Sequence, residues 1–310
     1  MQIISDYQFV QDSDRGATAA IGNFDGVHLG HLSVIEMARA AAPDAPLGLV
    51  TFAPHPRAYF APKSPPFRLM SSAARASRLA KVGVERLYQL PFNTALASLT
   101  PYDFAEKVLH QGLGLKHVVV GADFCFGQGR KGTATDLQDF GAQLGFGVTI
   151  APLMEQTDQT ISSTAIRQAL TDARPRDAAA MLGHWHRIEG PVIGGEQRGR
   201  ELGYPTANMS IDGLHPPAFG VYAVLADVLD GPHAGSYYGV ASLGVRPMFG
   251  ENKPNLETFI FDFKGDLYGA NISIALVEHL RGEEKFDGLD ALITQMDADS
   301  SQARKILNAL

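Results

Sequence analysis

Cysteine is the scarcest reactive residue in this chain, because Cys125 is the only one. A single thiol excludes an intramolecular disulfide and any metal site built from cysteines alone. Basic residues are not in excess either, since the formal net charge is −7 at pH 7. Duplex nucleic acid is therefore disfavoured as a partner, because a polyphosphate backbone selects basic surfaces. Small phosphorylated ligands remain possible, since they need only a local pocket.

Long apolar runs and targeting signals are also missing. No run approaches the roughly 20 apolar residues of a membrane span. The opening stretch MQIISDYQFVQD has no basic flank before an apolar core, so it does not resemble a signal peptide. We therefore expect a soluble, cytoplasmic protein that binds neither membranes nor nucleic acid. The composition carries no signal for an oligomeric state.

The first half alternates β-type apolar runs with helix-like segments. The strand candidates are ATAAIGN, LGLVTF, VERLYQL, HVVVGADF and FGVTIAPL. Strands that alternate with helices predict a Rossmann-like α/β domain with a mostly parallel sheet. Such sheets bind ligands at the carboxyl ends of their strands, where GNFDGVHLGH and VVVGADF both fall.

The second half has a different texture, with β-type runs, dense glycine and proline punctuation, and a closing helical stretch. This pattern predicts an antiparallel β-barrel or sandwich with terminal helices. We place the boundary near residue 183, so that the expected domains are 1–183 and 184–310, connected by the helical residues 161–183.

Residues 22–31, GNFDGVHLGH, combine three glycines with His28 and His31 where a strand should turn into a helix. A helix N-terminus offers backbone N–H groups and a positive dipole end to an anion. The two imidazoles would add donors for charge that develops on a pyrophosphate leaving group. A tight turn with incidental histidines explains the same spacing about equally well. A zinc site is disfavoured, because no cysteine or further histidine accompanies the pair.

Three further segments follow later in the first half: TFAPHPR (51–57), GADFCFGQGRKG (121–132) and ISSTAIR (161–167). Taken singly, they are compatible with a proline-rich loop, an aromatic turn and a hydroxyl-capped helix. In the third segment, Arg167 follows the hydroxyls by one turn, which makes a second phosphate-binding helix end.

The second half contains GGEQRGRELGYPTAN at residues 194–208. It is not a Walker-type P-loop, because Arg200 and Glu201 replace the required Lys and Ser/Thr. Thr206 and Asn208 stand two apart on an extended chain and should face the same way. Their oxygens suit Mg²⁺, although PTAN alone is more typical of a turn.

Kinase chemistry on a hydroxyl also needs a group that takes or orients its proton. Glu257 is the best candidate, because it precedes the apolar run TFIF. From these residues alone, a glutamate at the rim of a strand end is the favoured interpretation.

The four segments of the first half, in this order and spacing, resemble the adenylyltransferase half of the bifunctional bacterial riboflavin kinase/FAD synthetase family. GRELGYPTAN, FGVYAV, GVRPMF, LETFIFDF and DLYG resemble its kinase half, so the resemblance covers nearly the whole chain. It implies a nucleotidyltransferase domain and a kinase barrel. With ATP as co-substrate and Mg²⁺, riboflavin would become FMN, and FMN would become FAD with release of pyrophosphate.

The resemblance also implies roles for individual residues in the adenylyltransferase half. Catalysis would involve His28 and His31. ATP and its phosphates would be bound by Gly22, Asn23, Phe24, Asp25, His28, His31, Ser163, Thr164 and Arg167. The flavin would be bound by His55, Arg57, Asp123 and Phe126.

In the kinase half, the resemblance implies that Glu257 is the base toward the ribityl 5′-hydroxyl. Thr206 and Asn208 would hold Mg²⁺. ATP would be bound by Gly199, Arg200, Gly203, Thr206 and Asn208.

The chain departs from the family pattern at several positions. Cys125 stands where a longer polar residue, often arginine, is expected, and Phe259 stands where histidine is common. Ser242 and Met248 replace a frequent Asn and Thr. Polar contacts to flavin or metal are therefore not expected at these positions.

Two alternatives stay open at this stage. The first half could transfer a nucleotide to another acceptor, because HxGH with a distal basic helix end occurs in several transferases. The chain could also be a flavin or nucleotide carrier without catalysis, which would bind its ligands and show no ATP-dependent turnover.

Overall fold

The computed structural model describes residues 1–152, 155–156, 159–194, 203–248 and 251–310. They form two compact units. Unit 1 comprises Met1–Ser64 and Arg75–Ile161, and unit 2 comprises Pro65–Ala74 and Ser162–Leu310. Each unit encloses its own cluster of buried apolar side chains.

Across residues 1–160, the described part of the chain contains ten strands, six of which form one sheet. They are β1 Gln2–Ile4, β2 Thr18–Ile21, β3 Leu47–Ala53, β4 Arg86–Pro91, β5 His117–Gly121, β6 Cys125–Phe126, β7 Gly132–Thr133, β8 Gly147–Ala151, β9 Glu155–Gln156 and β10 Gln159–Thr160. The sheet has the order β1-β4-β3-β2-β5-β8, and all its neighbouring strands are parallel. This confirms the predicted parallel α/β domain. The chain leaves β2 toward β3 and later returns to its other side at β5, so the direction of winding reverses between β2 and β5.

Helices connect the strands of this sheet. They are α1 Leu29–Ala41, α2 Pro56–Phe60, α3 Ser72–Lys81, α4 Thr94–Ala97, α5 Pro101–Asp103 and α6 Ala134–Leu144. Thr100 caps α5, since its hydroxyl accepts the Asp103 N–H at 3.1 Å. Beyond α5 the chain continues as a π-helix, Phe104–Gly112, a winding that the sequence pattern does not distinguish from an α-helix.

Unit 2 is built on one antiparallel sheet. Its strands are β11 His186–Pro191, β12 Thr206–Ser210, β13 Gly220–Val228, β14 Gly235–Met248, β15 Glu251–Ile260 and β16 Asn271–Arg281. Their order is β11-β16-β13-β14-β15-β12. The two edges approach each other just beyond β11, where the Ile193 N–H donates to the Asn208 carbonyl at 2.9 Å. The sheet is thus curved into a half-barrel, as the second-half pattern predicts.

The helices that follow α6 in the described part of the chain are α7 Ser163–Thr171, α8 Pro175–Leu182 and α9 Leu289–Leu307. The last one packs against β13, β14 and β16. In the part of the chain that the structure describes, no helix combines the length and apolarity needed to cross a bilayer.

Candidate active sites

The loop between β2 and α1 begins at the carboxyl edge of the parallel sheet, at the point where the winding reverses. In open α/β sheets this is where a crevice for ligands forms. The loops after β3 and β5, which carry His55 and Asp123, leave the same edge because the three strands are parallel neighbours. The structure therefore places these three predicted loops at the same edge of the sheet.

The backbone of the β2–α1 loop is strained. Phe24, Gly26 and Val27 have φ angles of 51°, 90° and 44°, in the left-handed region that costs a residue with a side chain about 1–3 kcal/mol. Phe24 and Val27 are both fully buried, so packing below the sheet edge holds them there. Strain of this kind concentrates where a loop must present groups in a fixed geometry.

His28 is the N-cap of α1, and its imidazole closes the helix. Its Nδ1 accepts the backbone N–H of His31 at 3.3 Å. An accepting Nδ1 is unprotonated, so the proton of the neutral ring is on Nε2, which becomes a donor. No acidic residue occupies the first turn of α1, so the positive end of the helix dipole is not neutralised there.

The two imidazoles are stacked, with ring centroids 3.6 Å apart and planes at 20°. Burial lowers the pKa of His31 well below its usual 6.5, and the neighbouring His28 lowers it further. Nδ1 of His31 is buried and has no hydrogen-bond partner in the described part of the chain. A buried nitrogen without a partner is uncommon in folded proteins, and it fits a site that is completed by a ligand.

Gly30 makes this stack possible. A Cβ at residue 30 would lie 3.2 Å from Nδ1 and Cε1 of His28, which is closer than ordinary van der Waals contact. Glycine within the first helical turn therefore leaves room for the capping imidazole to lie over the helix end.

The residues predicted to bind flavin in unit 1 differ in exposure. His55 caps α2 by accepting the Arg57 N–H at 3.0 Å, while Arg57 and Asp123 are exposed. Phe126 is buried and stacks on Phe124 at 5.5 Å. Phe126 was predicted, but it belongs to a wider aromatic set around these loops whose other members sequence reasoning missed. The set consists of Phe52, Tyr59, Phe60, Phe92, Phe104, Phe124 and Phe126.

Ser163, Thr164 and Arg167 lie on the first turns of α7, which belongs to unit 2. The helix is capped by Ser162, whose hydroxyl accepts the Ala165 N–H at 3.1 Å. Arg167 donates to the Phe67 carbonyl and lies 5.6 Å from the centre of that ring. The predicted hydroxyl-rich helix start is thus present, and its arginine is oriented by the 65–74 segment.

Unit 2 brings Thr206, Asn208 and Glu257 onto one face of the antiparallel sheet. Asn208 pairs with Glu257 across β12 and β15, and Glu257 pairs with Ser242 across β15 and β14. Directly opposed side chains on neighbouring strands lie about 4.5–5.5 Å apart at Cβ. Glu257 was expected at the start of a strand, but β15 begins at Glu251 and the carboxylate stands in the strand interior. A rim position is therefore wrong, and the carboxylate is flanked on both sides.

Asn255 is a polar residue of this site that no motif indicated. It is buried, and its amide Nδ2 lies 3.4 Å from Oδ1 of Asn208 and 3.5 Å from Oε1 of Glu257. Asn208 in turn donates to the Thr206 carbonyl at 3.3 Å. Asn255 therefore links the expected metal ligand and the expected base. The sequence signal for Asn255 was its position two residues before Glu257, because residues two apart on a strand face the same side.

A cavity of about 220 Å³ opens on this face, between the sheet and α9. Thr206, Ser242, Glu257 and Phe259 form its sheet wall, and Met296 of α9 is among the residues opposite. Apolar side chains line it together with polar and charged ones, among them Glu283 and Ser300, and pockets for organic ligands also combine these two kinds of lining.

An ion pair joins β16 to α9 beside the cavity. Arg281 donates to both carboxylate oxygens of Asp299 at 2.8–3.1 Å, and Asp299 is buried. Tyr204 makes a second link to α9 by donating to Asp297, and burial, followed by Asp297, raises the pKa of Tyr204 to about 12. These contacts fix the helix that forms the far wall.

Both halves of the chain match known families. Residues 10–165 match the FAD synthetase family, and residues 182–307 match the riboflavin kinase family. The bifunctional riboflavin kinase/FMN adenylyltransferase of Pseudomonas fluorescens is 39% identical over 99% of this chain and 98% of its own length. The protein of the same description from Bacillus subtilis is 34% identical over 100% of this chain and 98% of its own length. This chain belongs to the bifunctional riboflavin kinase/FAD synthetase family.

A solved structure agrees with this family fold along the whole chain. It comes from Streptococcus pneumoniae and is described as a macrolide-efflux protein. Its TM-score is 0.84 at 33% identity, over 98% of this chain and 98% of its own.

The structure shows where some of the residues that depart from the family pattern lie. Cys125 lies in β6, where its thiol contacts the Asp123 carbonyl at 3.6 Å. Ser242 and Phe259 both line the cavity of unit 2. Gly203, expected in the ATP loop, is exposed and left-handed at φ +82°. Gly199, Arg200 and the side chain of Met248 lie outside the described residues.

Proposed function

We propose that this chain makes FAD from riboflavin in two ATP-dependent steps, the first in unit 2 and the second with the histidine pair of unit 1. Both activities, riboflavin kinase and FMN adenylyltransferase, are those of its family. The assignment of one step to each unit rests on the chemistry of the side chains in the two sites. A carboxylate stands in the cavity of unit 2, whereas neutral donors stand at a helix N-terminus in unit 1.

In the kinase step, riboflavin occupies the 220 Å³ cavity with its ribityl chain directed to Glu257. The carboxylate takes the proton of the 5′-hydroxyl while that oxygen forms a bond to the γ-phosphorus of ATP. The bond between the γ-phosphorus and the bridging oxygen breaks, and ADP leaves. Asn255 keeps the carboxylate directed at the hydroxyl by binding its Oε1.

Mg²⁺ fits the residues present. Thr206 and Asn208 offer two neutral oxygens on one strand face beside a carboxylate, and Mg²⁺ takes most of its other ligands from phosphates and water. The Oδ1 of Asn208 has two lone pairs, so it can accept from Asn255 and still bind a cation. When bound, the ion would neutralise charge on the transferred phosphate. Across the described residues, no group of three or more His, Cys, Asp or Glu side chains forms a separate metal site.

In the adenylylation step, a phosphate oxygen of FMN attacks the α-phosphorus of ATP and pyrophosphate leaves. The nucleophile is already ionised at neutral pH, so this step needs no general base. His28 and His31, with the N-terminal N–H groups of α1, stabilise the charge that grows on the leaving group. Gly22, Asn23, Phe24 and Asp25 line the nucleotide, as the resemblance implies.

The remaining assignments are part of the same proposal. Ser163, Thr164 and Arg167 bind the triphosphate, and His55, Arg57, Asp123 and Phe126 bind the flavin of the second step. Gly199, Arg200 and Gly203 bind ATP in the kinase. The catalytic modules divide near residue 183, the enzyme works in the cytoplasm, where ATP is abundant, and it needs neither nucleic acid nor a membrane.

A time course with purified protein, riboflavin, ATP and Mg²⁺, resolved by chromatography, tests the proposal. FMN should appear first and FAD should follow. FMN without FAD, even when FMN is supplied directly, would point to another acceptor for unit 1. Bound flavin without any product would indicate a carrier instead of an enzyme.

A further inference from the structure

Arg75 lies behind the β2–α1 loop and was indicated by no motif. Its side chain is buried, at 8% exposure, although it carries a permanent charge. Nη1 donates to the backbone carbonyl of Asn23 at 3.0 Å, and Nη2 donates to Oε1 of Gln89 at 3.2 Å. A planar guanidinium can serve two acceptors at fixed angles, whereas a lysine ammonium would act as a single compact charge.

The carbonyl that Arg75 holds belongs to the most strained part of the loop. A second donor, the buried hydroxyl of Thr51, lies 3.4 Å from the same oxygen. The peptide that follows Asn23 is trans, so its C=O and its N–H point in opposite directions. Anchoring the carbonyl toward α3 and the sheet therefore turns the Phe24 N–H away from them.

The conformation of this peptide is not maintained by ordinary backbone preference. Phe24 and Val27, which carry side chains, both have positive φ, so a relaxed chain would favour other angles at these residues. Phe24 also carries the ring that packs on His31, with centroids 4.9 Å apart. A shift of the Asn23–Phe24 peptide would thus move both a backbone donor and the support of a catalytic imidazole.

We infer that Arg75 is a positioning residue for adenylyl transfer, which acts through the Asn23–Phe24 peptide on the donors that meet the triphosphate. The inference rests on the proposed site of FAD formation in unit 1. Arg75 itself does not contact the reacting atoms. Its loss should therefore leave ATP binding nearly unchanged and lower the rate of the chemical step, because only the transition state demands the aligned donors.

The test compares Arg75→Ala, Arg75→Lys and Arg86→Ala in the full-length enzyme. Arg86 is a matched control, since it is also partly buried and also holds a loop, through the carbonyls of Ser13 and Arg15, but at the amino end of β4. For each variant, kcat and the ATP KM are measured for FMN-to-FAD conversion. Riboflavin phosphorylation by the same sample reports whether unit 2 is intact.

Arg75→Ala should lower the kcat of FAD formation about 10- to 100-fold, the range expected for small misplacements of catalytic groups. The ATP KM should change by less than about threefold, Arg75→Lys should recover part of the rate, and Arg86→Ala should keep the wild-type kcat. If Arg75→Ala does not fold, Gln89→Leu removes one of its two acceptors and should give a smaller loss of kcat.

The inference would be overturned if Arg75→Ala kept the wild-type kcat, or if Arg86→Ala lost as much kcat as Arg75→Ala. In either case, FAD formation by the wild-type enzyme would still support the proposed function. Absence of FAD with the wild-type enzyme would overturn both. A large rise in KM with unchanged kcat would make Arg75 a determinant of ATP binding and would also contradict the inference.

Discussion

In unit 1 the candidate catalytic groups stand at the end of a strand and on the first turn of a helix, whereas in unit 2 they stand side by side in the interior of a sheet. The first arrangement concentrates donors, namely backbone N–H groups and two imidazoles. The second concentrates oxygens, from Thr206, Asn208 and Glu257. Both act on ATP in the proposed function, yet their electrostatics are opposite in sign.

The difference follows from the protonation state of each nucleophile. A ribityl hydroxyl must lose its proton to attack phosphorus, so its site needs a base. An FMN phosphate is already an anion, so its site needs stabilisation of the leaving pyrophosphate and no base. The nucleophile, more than the ATP that both reactions use, therefore decides which side chains each unit presents.

The largest expected effect comes from removing the base. Glu257→Gln keeps the shape of the side chain and should lower FMN formation about 10²- to 10⁴-fold, the usual contribution of a general base. Conversion of supplied FMN to FAD should remain at the wild-type rate. Initial rates of both reactions by chromatography provide the measurement, and equal loss of both would contradict the separation of the two chemistries.

The reciprocal change is His31→Ala. FAD formation from FMN should fall about 10²- to 10³-fold, because a donor to the developing charge is lost. Riboflavin phosphorylation should not change. The same chromatographic assay applies, and undiminished FAD synthesis would remove His31 from the mechanism.

A smaller effect is expected at Asn255, which orients two groups without reacting. Asn255→Ala should lower the apparent affinity of the kinase for Mg²⁺ about 10- to 100-fold, because Asn255 is a hydrogen-bond partner of an expected metal ligand and loss of such a partner has this effect. Titration of Mg²⁺ in the kinase assay measures it. Asn271→Ala, at the start of β16 where the side chain meets Asp230, is the matched control. A shift of the same size in that control would show that Asn255 has no special role.

Part of the candidate site could be predicted from the sequence. His28, His31, Thr206 and Asn208 were found because their spacing along the chain already brings them together, on one helix turn or one strand. Glu257 was found by its odd place beside an apolar run, but its position inside β15 depends on strand pairing. That information is not local.

Arg75 and Asn255 were missed for the same physical reason. Each acts on a group from another element, and neither spacing nor composition encodes that contact. The parallel and antiparallel sheets were predictable from the alternation of segments, whereas the π-helix after α5 was not, since it shares the apolar period of an α-helix. Local pattern fixes the elements, and long-range pairing decides which polar groups meet.

The smallest expected effect is a pH dependence of stability that both units share. Burial, with His184 and His215 in addition, lowers the pKa of His186 from 6.5 to about 3, and burial lowers the pKa of His31 in the same direction. The unfolded state therefore binds more protons below pH 6.5, and the free energy of unfolding should fall as the pH drops from there toward 3. The slope for His186 is at most about 1.4 kcal/mol per pH unit.

Urea titrations between pH 7 and 5 measure this slope, in a range where most carboxylates stay ionised. His186→Gln should flatten it, and His233→Gln, in the turn before β14, serves as the control. An unchanged slope in His186→Gln would mean that other groups carry the pH dependence.

Gly30 has a consequence for how the chain tolerates change. Inside a helix, glycine is less favourable than alanine by about 1 kcal/mol, so alanine at residue 30 would ordinarily improve the helix. Here the added carbon would press on the ring of His28. The substitution would therefore disturb the imidazole that both caps α1 and stacks on His31. At position 30 the preference of a helix for alanine and the space that the candidate site needs oppose each other.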